Sequence, residues 1–268
     1  MKKVSVIITI FNNSEYLTRC VKSVLRQSYS PKEIILIDDG SFDDNAKKIY
    51  LKFKINKKKI KFKFYKIKNI GPSGARNFGL KKINYDYFCF FDPDDLMNKN
   101  FINNRIQIFK KNLNKRIIGV YSHMKVKENN KYTNMEHKEK LSNFDQIDTI
   151  GYQNGVCGML PCYIFFKPLI PKFIKLDEKI LVNEDFDFII RIFKNNFNAY
   201  GINKFDLVRN IHKDSLTRSK KNIQLVYKNQ KKFINKAIKN KYFSKNEVTK
   251  RQRYAELLAA KSYLKHLY

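Results

Sequence analysis

The sequence predicts an α/β fold, with a mostly parallel central sheet flanked by helices and a helical appendage at the C-terminus. Strand and helix patterns alternate through the first hundred residues, the rhythm of βαβ units joined by right-handed crossovers. Polar clusters fall at the ends of three of these strands, where ligands sit in sheets of this kind. The chain has 268 residues and is 43% hydrophobic, enough for a packed core and unlike a disordered chain.

Val4 to Ile10 is apolar and rich in β-branched residues, which suits a strand covered on both faces. Ser14 is placed to cap a helix carrying Leu17, Cys20, Val21, Val24 and Leu25 at helical spacing. Glu33 to Ile37 reads as a second strand running into Asp38-Asp39-Gly40-Ser41, and Asp43 or Asp44 opens the next helix. Ile60, Phe62 and Phe64 alternate with lysines, as in a strand with one exposed face. Gly74 to Ile83 reads as a short helix, and Tyr85 to Phe91 as a strand ending in Asp92-Pro93-Asp94-Asp95. Asp95 is also placed to cap a helix beginning near Leu96. Farther on, Ile117 to Met124 predicts a strand and Lys125 to Lys140 a polar loop. Asn183-Glu184-Asp185 opens a helix with a broad apolar face from Phe186 to Phe193, and a strand near Phe205 to Arg209 precedes His212. From Ser219 the chain is helical and basic, with Ile223, Val226, Tyr227, Phe233, Ile234, Ala237 and Ile238 on one face.

The net charge is +31, which suggests nucleic acid, an anionic membrane or phosphorylated ligands. It is unevenly spread: residues 47–68 hold 11 Lys and no acid, and residues 219–268 carry +12. The clusters at the strand ends are acidic, which disfavours nucleic acid unless a metal intervenes. Met1 to Phe11 is too short in its apolar run for a signal peptide and ends in Asn12-Asn13-Ser14-Glu15, so a buried strand is expected. Val156 to Ile170, broken by Pro161, Lys167 and Pro168, does not span a bilayer. The four cysteines form no Cys-x-x-Cys pair, and no His or Cys close in sequence completes a zinc set with Cys157 and Cys162. Reduced thiols in a cytoplasmic protein are the expectation.

Asp92-Pro93-Asp94-Asp95 is the sharpest local signal. Two carboxylates one residue apart at a strand end can share a hard divalent cation that also binds a diphosphate. A turn is the bland alternative for this cluster and for Asp38 to Ser41. Gly71-Pro72-Ser73-Gly74-Ala75-Arg76 has the wrong glycine spacing for a dinucleotide fingerprint or a P-loop, yet can hold a diphosphate or base near a helix start. Glu184-Asp185 offers a carboxylate base, although acids at a helix N-terminus are stabilising in any case.

Taken in order, these motifs resemble the family 2 glycosyltransferases of the GT-A fold, which is Rossmann-like. Val4 to Asn12 is similar to the family's first strand, Asp38-Asp39-Gly40-Ser41 to its nucleotide-binding turn, and Ala75-Arg76-Asn77-Phe78-Gly79 to its Ala-Arg-Asn-x-Gly element. Asp92-Pro93-Asp94 resembles its Asp-x-Asp motif, Glu184-Asp185 its catalytic pair, and His212-x-x-Ser215-Leu216-Thr217 its late His segment. The resemblance covers about residues 1–218, implying a donor-binding half to about residue 115 and an acceptor half over 116–218, with 219–268 a separate basic helical segment. It implies that Thr9, Phe11, Asp38 and Asp39 line the base pocket of a nucleotide-sugar, with Arg76 nearby. Asp92 would face the ribose or metal-bound water, Asp94 would ligate Mn²⁺ or Mg²⁺, and His212 would approach the metal or diphosphate. Asp185, ahead of Glu184, would be the base of an inverting transfer from a nucleotide-sugar, UDP by family habit, to a glycan or lipid-linked acceptor, as in bacterial surface polysaccharide synthesis. The basic segment 219–268 would suit an anionic inner membrane face, and its use in oligomerisation stays open. The competing readings are a basic nucleic-acid-binding protein, a sugar-nucleotide pyrophosphorylase and a catalytically silent scaffold. The pyrophosphorylase would want a Gly- and Arg-rich loop after the first strand, where Phe11-Asn12-Asn13-Ser14-Glu15 stands.

Overall fold

The computed structural model describes residues 2–54, 59–112, 115–142, 148–150, 154–212, 215 and 222–264, with side chains to residue 257 in the last helix. The first half alternates β1 (Val4–Ile10), α1 (Ser14–Leu25), β2 (Glu33–Asp38), α2 (Asn45–Lys54), β3 (Lys61–Lys66), α3 (Gly71–Lys82) and β4 (Tyr87–Phe91). β1 pairs in parallel with both β2 and β4, and β2 with β3. Because β2 and β4 lie on opposite sides of β1, the winding reverses there and leaves a crevice beyond the strands' carboxyl ends. Apart from half-buried Thr9, every residue of β1, β2 and β4 is buried, as their mainly apolar sequences require. Tyr50 of α2 packs on Phe62 and Phe64 of the edge strand β3.

Two glycines set close approaches. Gly79 of α3 lies so near β1 that a Cβ there would stand 2.5 Å from Ile7 Cγ2. Gly40, with φ of +81°, turns the chain after β2 where a Cβ would meet the Asn69 amide at 3.0 Å.

The second half comprises β5 (Leu96–Met97), α4 (Phe101–Lys111), β6 (Ile117–Glu128), β7 (Lys131–Met135), β8 (Lys140–Ser142), β9 (Tyr163–Phe166), α5 (Glu184–Phe193) and β10 (Asn198–Ile211). The sheet runs in the order β3-β2-β1-β4-β9-β6-β10-β5, with β9 antiparallel to both neighbours and β6 parallel to β10.

Three expectations are corrected here. No helix begins near Leu96: Leu96 and Met97 pair with β10, the Asp95 carboxylate accepts the Asn210 amide at 3.0 Å, and α4 waits until Phe101. Lys125 to Lys140 is not all loop, because β6 continues to Glu128 and folds back as β7 through Asn129 and Asn130, both at positive φ. Its polar residues belong to the end of β6, flanked by β10 on one side and by the exposed β7 on the other. The late strand is also longer than Phe205 to Arg209, reaching back to Asn198.

Between α4, β6 and β10 lies Arg105, fully buried. Its guanidinium donates to the carbonyls of Phe101 and Cys162, to Ser122 Oγ and to both carboxylate oxygens of Asp206. A buried charge tolerates that position only when its donors are satisfied in this way.

The basic appendage folds as α6 (Ile223–Lys239) and α7 (Lys245–Leu264). Phe233, Ile234 and Ala237 of α6 are buried, and Lys236 Nζ lies 2.6 Å from carboxylates of both Asp177 and Asp187. Ile238, expected on the same face, is exposed. No helix among the described residues is long and apolar enough to cross a membrane.

Candidate active site

The centre of the site is an arginine. Arg76 projects from α3 and is almost fully buried. Its Nη1 donates to Glu184 Oε1 at 2.8 Å and lies 3.6 Å from Asp185 Oδ1, while Nη2 donates to Asp92 Oδ1 at 2.9 Å. Residues 108 and 16 positions apart in sequence thus meet because α3, α5 and the end of β4 all open on the same crevice. Burial alone would oppose the charge on Arg76, but Asp92, Asp185 and Glu184 outweigh it and hold the guanidinium protonated.

The two carboxylates that open α5 are not equivalent. Glu184 is committed to Arg76, and burial still pushes its carboxyl up against the guanidinium's pull. Asp185 accepts one hydrogen bond, from the Leu160 amide to Oδ2 at 3.0 Å, and its Oδ1 has no hydrogen-bond partner. Burial first, then the neighbouring charge of Glu184, lifts the Asp185 carboxyl to about 7, with Arg76 opposing.

At the end of β4, Asp94 Oδ2 stands 3.1 Å from His212 Nε2, with the Tyr16 ring against the imidazole. β10 delivers His212: Asn210 donates its side-chain amide to the Asp94 carbonyl and its backbone amide to Asp95. Burial and the charge of Asp92 push the Asp94 carboxyl up, and burial with Asp94 and Asp92 does the same to Asp95. Asp94 and His212, whose Nδ1 is buried without a partner, are an oxygen and a nitrogen donor that could hold a divalent cation. Asp92, also expected at the metal, has its Oδ1 on Arg76. Ser215 closes a turn on His212, whereas Leu216 and Thr217 lie outside the described residues.

The ends of β1 and β2 are laced together. Asn12 N–H donates to Ser41 Oγ, and Phe42 N–H to Asn12 Oδ1. Asp38 Oδ1 accepts the Ser41 amide, leaving its buried Oδ2 unpartnered. Asp39 accepts the Ile70 amide at 2.9 Å, so its carboxylate sits at the entrance to α3, the helix that carries Arg76. Burial raises the Asp39 carboxyl, and the amides of Ile70 and Gly71 restrain it. Thr9 is half-buried beside this turn, and Phe11, 44% exposed, stands 6.2 Å ring to ring from the 92%-exposed Phe42.

Of the residues expected from the sequence, Arg76 brings together Asp92, Glu184 and Asp185, Asp94 meets His212, and Thr9, Phe11, Asp38 and Asp39 lie at the ends of β1 and β2. Sequence reasoning missed Phe42, an exposed aromatic directly after the Asp38 to Ser41 turn, and Asn210, two residues before His212. It also missed the partner of Cys157 and Cys162: His137, distant in the chain, brings a ring nitrogen within 4.8 Å of both thiols. All four cysteines are free and buried.

Residues 5–170 match the family model described as Glycosyl transferase family 2. The chain is 31% identical over 201 residues to the cholesterol galactosyltransferase of Borreliella burgdorferi, covering 71% of this chain and 55% of that protein. It is 39% identical over 123 residues to the poly(ribitol-phosphate) beta-N-acetylglucosaminyltransferase TarP of Staphylococcus aureus, covering 45% and 37%. Across the curated relatives compared, the chain spans from 18% to 55% of their length. Among solved structures, S. aureus TarS 1-349 in complex with UDP-GlcNAc superposes with a TM-score of 0.65 at 20% identity, over 85% of this chain and 66% of that one. The mannosyltransferase PcManGT from Pyrobaculum calidifontis, in complex with GDP-Man and Mn²⁺, gives 0.66 at 12% identity over 97% and 73%. These likenesses establish the GT-A fold. The family match covers more than half of the chain, and on that ground this protein is a member of glycosyltransferase family 2.

Proposed function

We propose that the chain is an inverting glycosyltransferase that moves a sugar from a nucleoside-diphosphate sugar, a UDP-sugar, to a hydroxyl of a glycan or lipid-linked acceptor. The observation that carries this reading is Asp185: a buried carboxylate with one oxygen held by an amide, the other without a hydrogen bond, and a pKa of about 7. A base poised near neutrality suits removal of a hydroxyl proton. As the acceptor oxygen bonds to the anomeric carbon, its proton passes to Asp185 Oδ1 and the bond from that carbon to the diphosphate breaks. Glu184 is the weaker choice, because Arg76 already occupies it. Arg76 also ties Asp92 to α5, so the donor side and the base keep one spacing. Phe11 and Phe42 offer a stacking face for the nucleobase, and the unpartnered Asp38 Oδ2 offers an acceptor beneath it. Mn²⁺ or Mg²⁺, held by Asp94 with His212 and Asp92, would supply positive charge against the leaving diphosphate.

In this reading residues 1–218 form the catalytic unit. The exposed lysines 228, 231, 232 and 239 of α6 support a second role for 219–268, attachment to an anionic membrane surface that carries the acceptor. Sedimentation with anionic and neutral vesicles tests that role, and negligible binding to both rejects it. The catalytic reading is tested by nucleotide-sugar turnover with and without Mn²⁺. Activity should appear with a UDP-sugar and disappear in Asp94→Ala and Asp185→Asn. Absence of both turnover and thermal stabilisation with every nucleoside-diphosphate sugar would sink it.

A further inference from the structure

A second constellation lies outside the crevice and has no part in the proposed transfer. His137 follows β7, Cys157 lies in the segment before β9, and Cys162 ends the 3₁₀ turn Leu160–Cys162. The two thiols are fully buried, His137 is 4% exposed, and one ligand atom from each lies within 4.8 Å of the others. Neither ring nitrogen of His137 has a hydrogen-bond partner. An imidazole stripped of water on both nitrogens is costly unless a cation takes up a lone pair. The backbone around the three is held in place: the Tyr163 hydroxyl donates to the Cys157 carbonyl, the His137 amide to His123 Nδ1, and the Arg105 guanidinium to the Cys162 carbonyl.

We propose that His137, Cys157 and Cys162 bind one thiophilic cation, Zn²⁺. Zinc bonds of about 2.3 Å to sulfur and 2.0–2.1 Å to nitrogen place tetrahedral ligand atoms roughly 3.4–3.8 Å apart, so the trio closes by about 1.4 Å at most. Two thiolates and a neutral imidazole balance a dication, leaving no net charge in an interior where one would be expensive. Hard cations such as Mg²⁺ and Mn²⁺ prefer oxygen donors and are served by the Asp94 group instead. A further soft donor, Met124 Sδ, lies 3.9 Å from Cys162 Sγ. Binding releases both thiol protons, as thiolate ligation requires. The turn that Cys162 ends also carries the Leu160 amide that holds Asp185, so the ion would stiffen the support of that carboxylate. Only this last consequence rests on the proposed transfer; the binding site does not.

The test uses the full chain purified under reducing conditions from zinc-supplemented medium. Elemental analysis should find about one zinc per chain. Replacement by Co²⁺ should produce a thiolate-to-cobalt charge-transfer band that persists in Asp94→Ala and Cys20→Ser. The band should weaken in Cys157→Ser and in Cys162→Ser and vanish when both are replaced, and His137→Gln should weaken zinc binding by about tenfold or more. Because these variants risk misfolding, the wild type supplies an independent readout. Its Tm should fall on chelation and recover with equimolar Zn²⁺ but not with Mn²⁺. A Tm indifferent to chelation, a cobalt complex without the charge-transfer band, or a Cys157–Cys162 disulfide in the reduced preparation would each overturn the site.

Discussion

At the scale of single residues, the site is a matter of how few cations hold how many buried acids. Asp185 titrates near 7 in the folded chain against an ordinary value of 3.8. In the proposed transfer the charged form is the base, so kcat/KM should fall about tenfold per pH unit below that value, read from a pH–rate profile. Stability should move the other way. Between 3.8 and about 7 the folded state holds a proton that the unfolded chain has released, so stability declines as pH rises through that window. Asp185→Asn should therefore lower kcat by about 10²–10⁴-fold while leaving Tm at pH 8 equal to or above that of the wild type. A variant that lost Tm in step with activity would mark Asp185 as structural. Arg76 is the reverse case. Arg76→Ala leaves Asp92, Glu184 and Asp185 without their shared counter-charge, and about 3–5 kcal/mol should be lost in urea unfolding.

At the scale of elements, the legible parts were those whose pattern is local. β1, α1 and β2 were readable because their apolar residues follow the period of one strand or helix and bury against neighbours in the same βαβ run. β5 was not, because Leu96 and Met97 are extended only by pairing with β10, more than a hundred residues later. Local propensity favoured a helix there, and the tertiary ladder won. α3 shows how an element can be legible in type but not in function. Its Gly79 is needed for close contact with Ile7, so Gly79→Ala should cost about 1–3 kcal/mol by chemical denaturation. An unchanged midpoint would mean that α3 can ride outward from the sheet. At the crevice edge, Phe42→Ala should weaken UDP binding by about 1–3 kcal/mol in calorimetry if that ring stacks on the base.

At the scale of the whole molecule, the net charge of +31 is a property of two regions rather than of the crevice. α6 is basic on its outside but is not a loose tail. It buries Phe233, Ile234 and Ala237 and sets Lys236 between Asp177 and the fully buried Asp187, which also accepts from Arg191 and Tyr242. Deleting residues 219–268 should therefore lower Tm and expose apolar surface, detectable by ANS binding, and Lys236→Met should cost about 1–3 kcal/mol. A truncated chain with unchanged Tm would show that the appendage folds separately.

The sequence by itself determined the fold class and the order of the strand-end clusters, and it offered candidate residues there, though not Phe42 or Asn210. Each of these follows from short-range periodicity, or from a motif of a few consecutive residues. Tertiary structure alone decided which of those residues touch. Arg76 joins Asp92 to Glu184, and His212 reaches Asp94, because parallel strands bring their carboxyl ends together whatever the length of chain between them. The same holds for His137 with Cys157 and Cys162, whose long sequence separation hid a cluster that burial makes compact. The difference between Glu184 and Asp185, adjacent and chemically alike, was likewise set by burial and by which of them the single guanidinium holds.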